Sequence, residues 1–261
     1  MIIVDTCRHR ARTRTRALGA AAVVIVAFAV TGCGTADAGE GPVERKSFAF
    51  SGKSLTIDAR NSEVELVPAD VRSVEVERQV DGWVFMGSGP DPVWEMKDGT
   101  LTVGVTCDAV SSDCEARHSV KVPRGVAVTV RGDNGSVRAT GFDTALTLQS
   151  DNGEVTVRDS SGPLKLVSDN GEINGERIAS GNVSVRSDNG SVKLAFVKDP
   201  DLVDGVSDNG AITIEVPGSG AYDVTASAEN GDTSVDVKQD PRSPHVIKTR
   251  SDNGEVVVRA N

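Results

Sequence analysis

One short motif recurs seven times in this 261-residue chain, an acidic residue followed by Asn-Gly. The interval between successive copies rises from 18 to 23 residues along the chain. A period near twenty is typical of repeat architectures, in which each unit stacks on its neighbours to bury a shared core. The motif therefore constrains the fold more than any other feature of the sequence. Its copies begin at Asp133, Asp151, Asp169, Asp188, Asp208, Glu229 and Asp252.

Apolar and polar residues alternate on both sides of each corner. In the copy at Asp151, Leu146 and Leu148 precede the corner, and Val155 and Val157 follow it. A period of two is that of a β-strand with one buried face. The residue directly before each corner is always Gly, Ser or Ala. Each unit is therefore predicted to form a strand, a tight corner, a second strand and a loop.

Two all-β folds fit this unit. Asn-Gly between alternating strands is typical of type I′ hairpins, which would form an antiparallel meander. Alternatively, coils of about 19 residues stack in chain order as a parallel β-helix, or β-solenoid, with Asp-Asn-Gly corners. The near-constant period favours the solenoid, because stacking requires a common register whereas hairpins tolerate any spacing.

The constant asparagine also favours stacking. A hairpin would accept Asp-Gly equally well, whereas stacked coils can align their amides in a hydrogen-bonded ladder. The asparagines share the parity of the inward apolar positions, so we expect them to line the interior of the corners. The predicted ladder comprises Asn134, Asn152, Asn170, Asn189, Asn209, Asn230 and Asn253.

Copies such as LTLQSDNGEVTVRDSSG and VSVRSDNGSVKLAF resemble the bacterial putative-adhesin β-strand repeat family, a domain of unknown function. The resemblance is clear over 120–261 and extends in weaker form to residue 47, where NSE at Asn61 replaces Asn-Gly-Glu. It implies a parallel β-helical domain over 47–261 that is extracytoplasmic and non-enzymatic. The alternative function that it suggests is an accessory of an envelope-stress or assembly system.

The N-terminus has the pattern of a lipoprotein signal peptide. Five arginines precede an apolar run over 17–29, which is too short for a membrane-spanning helix. The VTGC sequence that follows resembles a bacterial lipobox, which predicts removal of residues 1–32 and acylation of Cys33, for example by palmitate. Residues 33–46 would then form a tether. The acyl chains would hold the protein in the lipid bilayer, on the extracytoplasmic face of the bacterial cell membrane.

The charge balance argues against nucleic acid as a partner. The whole chain has 28 Lys and Arg against 38 Asp and Glu. Residues 1–32 contain five of the arginines and one of the acids, so the remainder has a net charge near −14. A chain of this charge repels phosphate backbones.

Two cysteines remain beyond the predicted lipobox, Cys107 and Cys114, with six residues between them. Because exported cysteines usually pair, we predict a disulfide that closes this loop between two strand ends. A metal site formed by both cysteines and His118 is the alternative, although it lacks a fourth ligand. We expect no cofactor and no metal, and weak calcium binding along the acidic corners stays open.

The acidic corners do not have the pattern of a catalytic site. β-Helical enzymes that cleave polysaccharides use a unique pair of carboxylates, whereas these carboxylates belong to the repeat and can cap the backbone of the corner. Beyond residue 32 the only histidines are His118 and His245, and no nucleophile motif surrounds either. We therefore expect a protein that is not an enzyme, with a carbohydrate-active β-helix as the less favoured alternative.

One region departs from the repeat. Residues 81–99 contain both tryptophans, Trp83 and Trp94, together with Phe85, and are interrupted by glycines and prolines. We interpret them as an irregular insertion that covers one end of the solenoid, or that forms an aromatic patch for a cell-wall glycan or an envelope protein. The sequence as a whole predicts a membrane-anchored envelope lipoprotein with an adhesin-like structural or binding module.

Overall fold

The repeat folds as a parallel β-solenoid. A computed structural model of the protein describes residues 41–261, and the regular elements in that range are all strands. The strand before each corner pairs in parallel with the equivalent strand of the neighbouring coil, and so does the strand after it. The solenoid prediction is confirmed and the meander is wrong, because hairpins would pair the two strands of one copy with each other.

The described residues contain nineteen strands, joined by corners and loops. Each regular coil consists of two of them, one before and one after its corner. In chain order the strands are β1 (Glu44–Ala49), β2 (Ser54–Arg60), β3 (Glu63–Ala69), β4 (Ser73–Lys97), β5 (Thr100–Pro123), β6 (Ala127–Asn134), β7 (Val137–Thr140), β8 (Leu146–Asn152), β9 (Val155–Arg158), β10 (Leu164–Asn170), β11 (Ile173–Ile178), β12 (Asn182–Asn189), β13 (Val192–Phe196), β14 (Leu202–Asn209), β15 (Ile212–Val216), β16 (Asp223–Asn230), β17 (Thr233–Asp236), β18 (Val246–Asn253) and β19 (Val256–Ala260).

The core is a stack of aliphatic side chains in constant register. Leu166 of β10 pairs with Leu148 of β8 on one side and with Val185 of β12 on the other. Leu148 and Leu166 are fully buried, and Val185 nearly so. Full burial of each such side chain stabilises the fold by about 1.5–3 kcal/mol, so alternation along the strands becomes a continuous core along the solenoid.

The last two copies do not stack in chain order. β14 pairs with β18 rather than with β16, and β16 pairs with the other side of β18. The coil of residues 246–260 therefore lies between the coils of residues 202–216 and 223–236. The expectation of stacking in chain order is wrong at this end of the molecule.

The size and number of the apolar side chains in the two coils explain this order. The coil of residues 246–260 supplies Ile247, Val256 and Val258, all fully buried. No residue of β16 or β17 is buried, and their inward positions include the smaller Ala226 and Ala228. Burial between two neighbouring coils removes more surface from water than burial against one, so the more apolar coil gains more from the inner place.

The opposite end continues with antiparallel strands. The two ends of β5 stack in parallel on β2 and β3, β4 pairs antiparallel with β5, and β1 pairs antiparallel with β4. Residues 105–115 of β5 leave the coil where other coils turn through Asp-Asn-Gly, and residues 81–92 of β4 pair with them. We call these two segments the projection. The interpretation of 81–99 as irregular is corrected, because most of it is strand β4.

The predicted signal peptide, Cys33 and most of the tether lie outside the described residues. Within residues 41–261, no helix is long and apolar enough to cross a membrane.

Candidate functional site

The corner asparagines form a ladder along one edge of the solenoid. Nδ2 of Asn170 donates to Oδ1 of Asn152 at 3.1 Å and to the backbone oxygen of Asp151 at 3.3 Å. Nδ2 of Asn189 donates in the same way to Oδ1 of Asn170. The ladder thus connects each coil to its neighbour in the stack. In spatial order it runs Asn61, Asn134, Asn152, Asn170, Asn189, Asn209, Asn253 and Asn230.

The asparagine side chains lie on the surface and not inside the corner. All seven predicted members are exposed, so the inward placement deduced from parity is wrong. The small residue before each corner lies inside instead. Ser150 and Ser168 are fully buried, and their hydroxyls donate to the backbone oxygens of Gly135 and Gly153 at 3.3 Å. Sequence reasoning missed this row, although a residue that is always small before the corner was its signal.

Close stacking explains the glycine of the motif. A Cβ atom built on Gly171 would lie 2.1 Å from the backbone oxygen of Gly153, a distance that no side chain tolerates. The backbone of Gly171 is outside the left-handed region, so conformational freedom is not what selects glycine there. Asn-Gly is therefore a stacking motif in this protein and not a hairpin motif.

The acidic residues of the corners form a parallel row of surface carboxylates. Arg186 lies 3.1 Å from Asp188 and 3.2 Å from Asp208, and so bridges neighbouring coils. Exposed ion pairs of this kind contribute little to stability. Across residues 41–261, no group of three or more His, Cys, Asp or Glu side chains is arranged to hold a metal ion.

The projection is closed by a disulfide. Cys107 and Cys114 are bonded to each other, with their Cα atoms 6.6 Å apart, and connect the two legs of the excursion in β5. The disulfide prediction is confirmed, and the metal-site alternative is wrong because both thiols are used. The bond fixes the legs of a loop that has no hydrophobic core of its own.

The two tryptophans of the predicted patch belong to different parts of the molecule. Trp94 packs half-buried against the end of the core, with its ring edge-on to Phe48 and the Arg78 guanidinium 4.0 Å from its centre. Trp83 and Phe85 lie in the projection. Trp94 therefore fits the interpretation of an end cap, and Trp83 and Phe85 stay candidates for the predicted contact surface.

Exposed apolar side chains are concentrated at the tip of the projection. Phe85, Met86 and Val110 are 58%, 72% and 78% exposed, and Trp83 is 43% exposed. Phe85 pairs with Ser111 and the next pair is Gly87 with Ala109, so Met86 and Val110 occupy facing positions. Exposed apolar residues scattered singly need no explanation, whereas a contiguous cluster of them is a candidate contact surface.

A groove of about 570 Å³ separates the projection from the asparagine edge. Its walls are largely polar. Amide and hydroxyl groups that line it belong to Asn61, Asn134, Ser112 and Ser136.

A serine and a histidine lie in hydrogen-bond contact behind this groove. The Ser62 hydroxyl is 2.6 Å from Nδ1 of His118. Burial, and to a smaller extent the Arg78 guanidinium, lower the pKa of the His118 imidazole to about 4. Ser62 lines the groove but is only 3% exposed, and His118 behind it is fully buried, so the imidazole is closed off from solvent. The Ser62–His118 pair fills the interior of the first corner. His118 occupies an inward position of β5 and pairs there with Val64 of β3.

The solved structures that resemble this chain have low sequence identity to it, and at such identities a likeness shows the fold alone. A crystal structure of a putative adhesin from Bacteroides fragilis is 16% identical, with a TM-score of 0.50, over 84% of this chain and 97% of that one. A putative cell adhesion protein from Clostridium sporogenes is 11% identical, with a TM-score of 0.37, over 85% and 100%. No curated protein matches the chain. The model of the Toastrack family, DUF4097, matches residues 44–261, and the chain therefore belongs to that family.

Proposed function

We propose that this protein is a lipid-anchored, extracytoplasmic binding module of the bacterial cell envelope, adhesin-like and without catalytic activity. The observation that carries the proposal is the projection, where the repeat is interrupted and Phe85, Met86 and Val110 are presented to solvent. A solenoid held by a regular ladder is a rigid support for such a surface. Aromatic and methionine side chains at the tip are residue types enriched in contact surfaces.

The remaining chemistry of the chain supports binding rather than catalysis. The carboxylates of the acidic corners recur along the solenoid, where some form surface ion pairs, and the Ser62–His118 pair is buried. The Bacteroides fragilis structure that shares the fold is named a putative adhesin, which agrees with a contact role. The partner is a cell-wall glycan, an envelope protein or the bilayer itself, and the net negative charge argues against nucleic acid.

The anchor is tested by fractionation of cells that produce the full chain. We expect wild type to remain with membranes and to incorporate an alkyne fatty acid. Cys33→Ala should lose the label and either appear in the soluble fraction or persist as uncleaved precursor. Equal labelling of the variant would contradict acylation at Cys33.

The contact surface is tested separately with the oxidised protein. We expect Phe85→Ser/Met86→Ser to reduce retention of the protein on isolated envelopes by about tenfold, since it removes a central apolar anchor. Val197→Ser is the matched control, because Val197 is also 58% exposed but lies away from the projection. Equal retention of both variants would show that the projection is not the contact surface.

A further inference from the structure

We propose that the tip of the projection rests on the lipid bilayer that holds the anchor, as a second and weaker membrane contact. This inference depends on the proposed function, because it takes the anchor at Cys33 as given. It assigns the partner of the projection as the apolar surface of the membrane, and not as a glycan or another protein.

The end of the tether that the structure describes, at Gly41, lies beside the base of the projection. The backbone oxygen of Gly41 accepts a hydrogen bond from Nε2 of Gln79 at 3.3 Å, and Gly41 lies against the backbone of Val80. The projection begins at the next residue, Asp81. The tether therefore reaches the solenoid at the base of the projection and not at the opposite end of the molecule.

The reach of the tether matches the reach of the projection. Gly41 is eight residues after Cys33, a separation that an extended chain spans in at most about 28 Å. From Val80 to Met86 the strand advances six residues, or about 20 Å. An acylated Cys33 thus keeps the bilayer surface within a distance that the tip can also cover.

The composition of the tip suits lipid. Its most exposed large apolar side chains are Phe85, Met86 and Val110, and Trp83 lies two pairs from Phe85 along the same ribbon. Aromatic and aliphatic groups of this kind partition into the boundary between headgroups and acyl chains. The projection has no Lys or Arg, and its charged side chains are all acidic. The contact is therefore apolar, and anionic headgroups do not strengthen it.

A weak contact is sufficient in this arrangement. The tether confines the tip near the surface at a high effective concentration, so that insertion of a few side chains becomes an intramolecular event. The acyl chains on Cys33 supply the firm attachment, so the tip needs to add only a weak contact. The disulfide between Cys107 and Cys114 holds the tip in a fixed shape for it.

The two tryptophans allow a direct test. In the oxidised chain from residue 33, Cys33 is the only cysteine outside the disulfide, so it can be coupled to a maleimide lipid in phosphatidylcholine vesicles. This chain retains the whole solenoid core. Trp94→Phe leaves Trp83 as the sole tryptophan. With lipids brominated near the headgroup, we expect its emission to fall about twofold.

Matched variants complete the test. Trp83→Phe leaves Trp94, which packs in the cap, and its emission should stay unchanged. In the Trp94→Phe background, Met86→Ser/Val110→Ser should abolish quenching of Trp83, whereas Val197→Ser should not. Unquenched Trp83 on vesicles shown by flotation to carry the protein would overturn the proposal, and so would quenching that requires anionic lipid. Because the anchor is synthetic, the result is independent of whether cells acylate Cys33.

Discussion

The two ends of the solenoid limit the exposure of the apolar core to water in different ways. At the N-terminal end the core is covered by additional antiparallel strands and by Trp94, Phe48 and Arg78. At the C-terminal end the last coil in space has no cover of its own, and its inward side chains are half-exposed. At the N-terminal end, large side chains cover the core. At the C-terminal end, the outermost coil has smaller apolar side chains, so less apolar surface is left to cover.

The difference shows that position in the stack is selected by burial. The coil of residues 246–260 is the last in the chain, yet it occupies an inner position with full burial of Ile247 and Val256. The coil of residues 223–236 precedes it and lies outside. Connectivity costs little here, since a loop of residues 237–245 is enough for the chain to return past the outer coil.

The largest expected effect separates the inner coil from the outer coil. Ile247→Ala should reduce the free energy of unfolding by about 3–4 kcal/mol, because it opens a cavity between two coils. Val224→Ala, at the paired position of the outer coil, should cost less than about 1 kcal/mol, because the side chain is half-exposed. Urea melts measure both. Similar losses would contradict the assignment of 246–260 as the inner coil.

The next effect concerns the covered end. Trp94→Ala should cost about 2–3 kcal/mol, since it removes the ring that Arg78 and Phe48 pack against. Trp83→Ala is the matched control and should change stability by less than about 0.5 kcal/mol, because Trp83 lies in the projection. A Trp83→Ala loss as large as that of Trp94→Ala would show that the projection is part of the cap.

The covered end should also be sensitive to acid. The pKa of His118 is lowered to about 4 from 6.5, so the unfolded chain binds the proton more tightly. Stability from this group is therefore complete above pH 6.5 and is lost as the pH falls towards 4. Between pH 7.5 and pH 5 the free energy of unfolding should drop by about 2 kcal/mol. His118→Leu has no imidazole to titrate, so its urea melts should lose most of this difference; an unchanged pH dependence would exclude His118 as the cause.

The smallest effect compares the middle of the ladder with its open end. Asn170→Asp removes the donor to Asn152 and should cost about 1 kcal/mol, less than for a buried ladder because the side chain is exposed. Asn230→Asp, at the outer coil, breaks the bond to Asn253 without a further coil beyond it. It should cost about half as much in the same urea melts. Equal losses would indicate that the ladder does not act as a chain of bonds.

Local features of the sequence were sufficient for much of the fold. The alternation around Asp151 and Asp169 predicted the strands, and the fixed period predicted stacking. The pairing of Cys107 with Cys114 was predicted from their short separation and from the expectation that the chain is exported. The asparagine ladder was also predicted, although on the wrong side of the backbone, because strand parity does not continue through a corner.

The candidate site was less accessible to sequence reasoning. Trp83, Phe85 and Trp94 were grouped because they are close in the chain, but the ribbon formed by β4 and β5 carries the first two away from the core and leaves the third on it. Nothing local distinguishes a tryptophan that covers a core from one that points to solvent. The distinction depends on strand β5, which pairs with each of them.

The sequence by itself determined the repeating unit, because period, alternation and corner residues act within one coil and are encoded next to one another. The tertiary structure decided the order of the last two coils, the glycine requirement at Gly171, the buried serines and the placement of the projection. Each of these depends on the close approach of segments that are distant in the chain. Which surface is buried at an end, and which backbone atoms come within contact distance, are properties of the assembled stack and not of any single repeat.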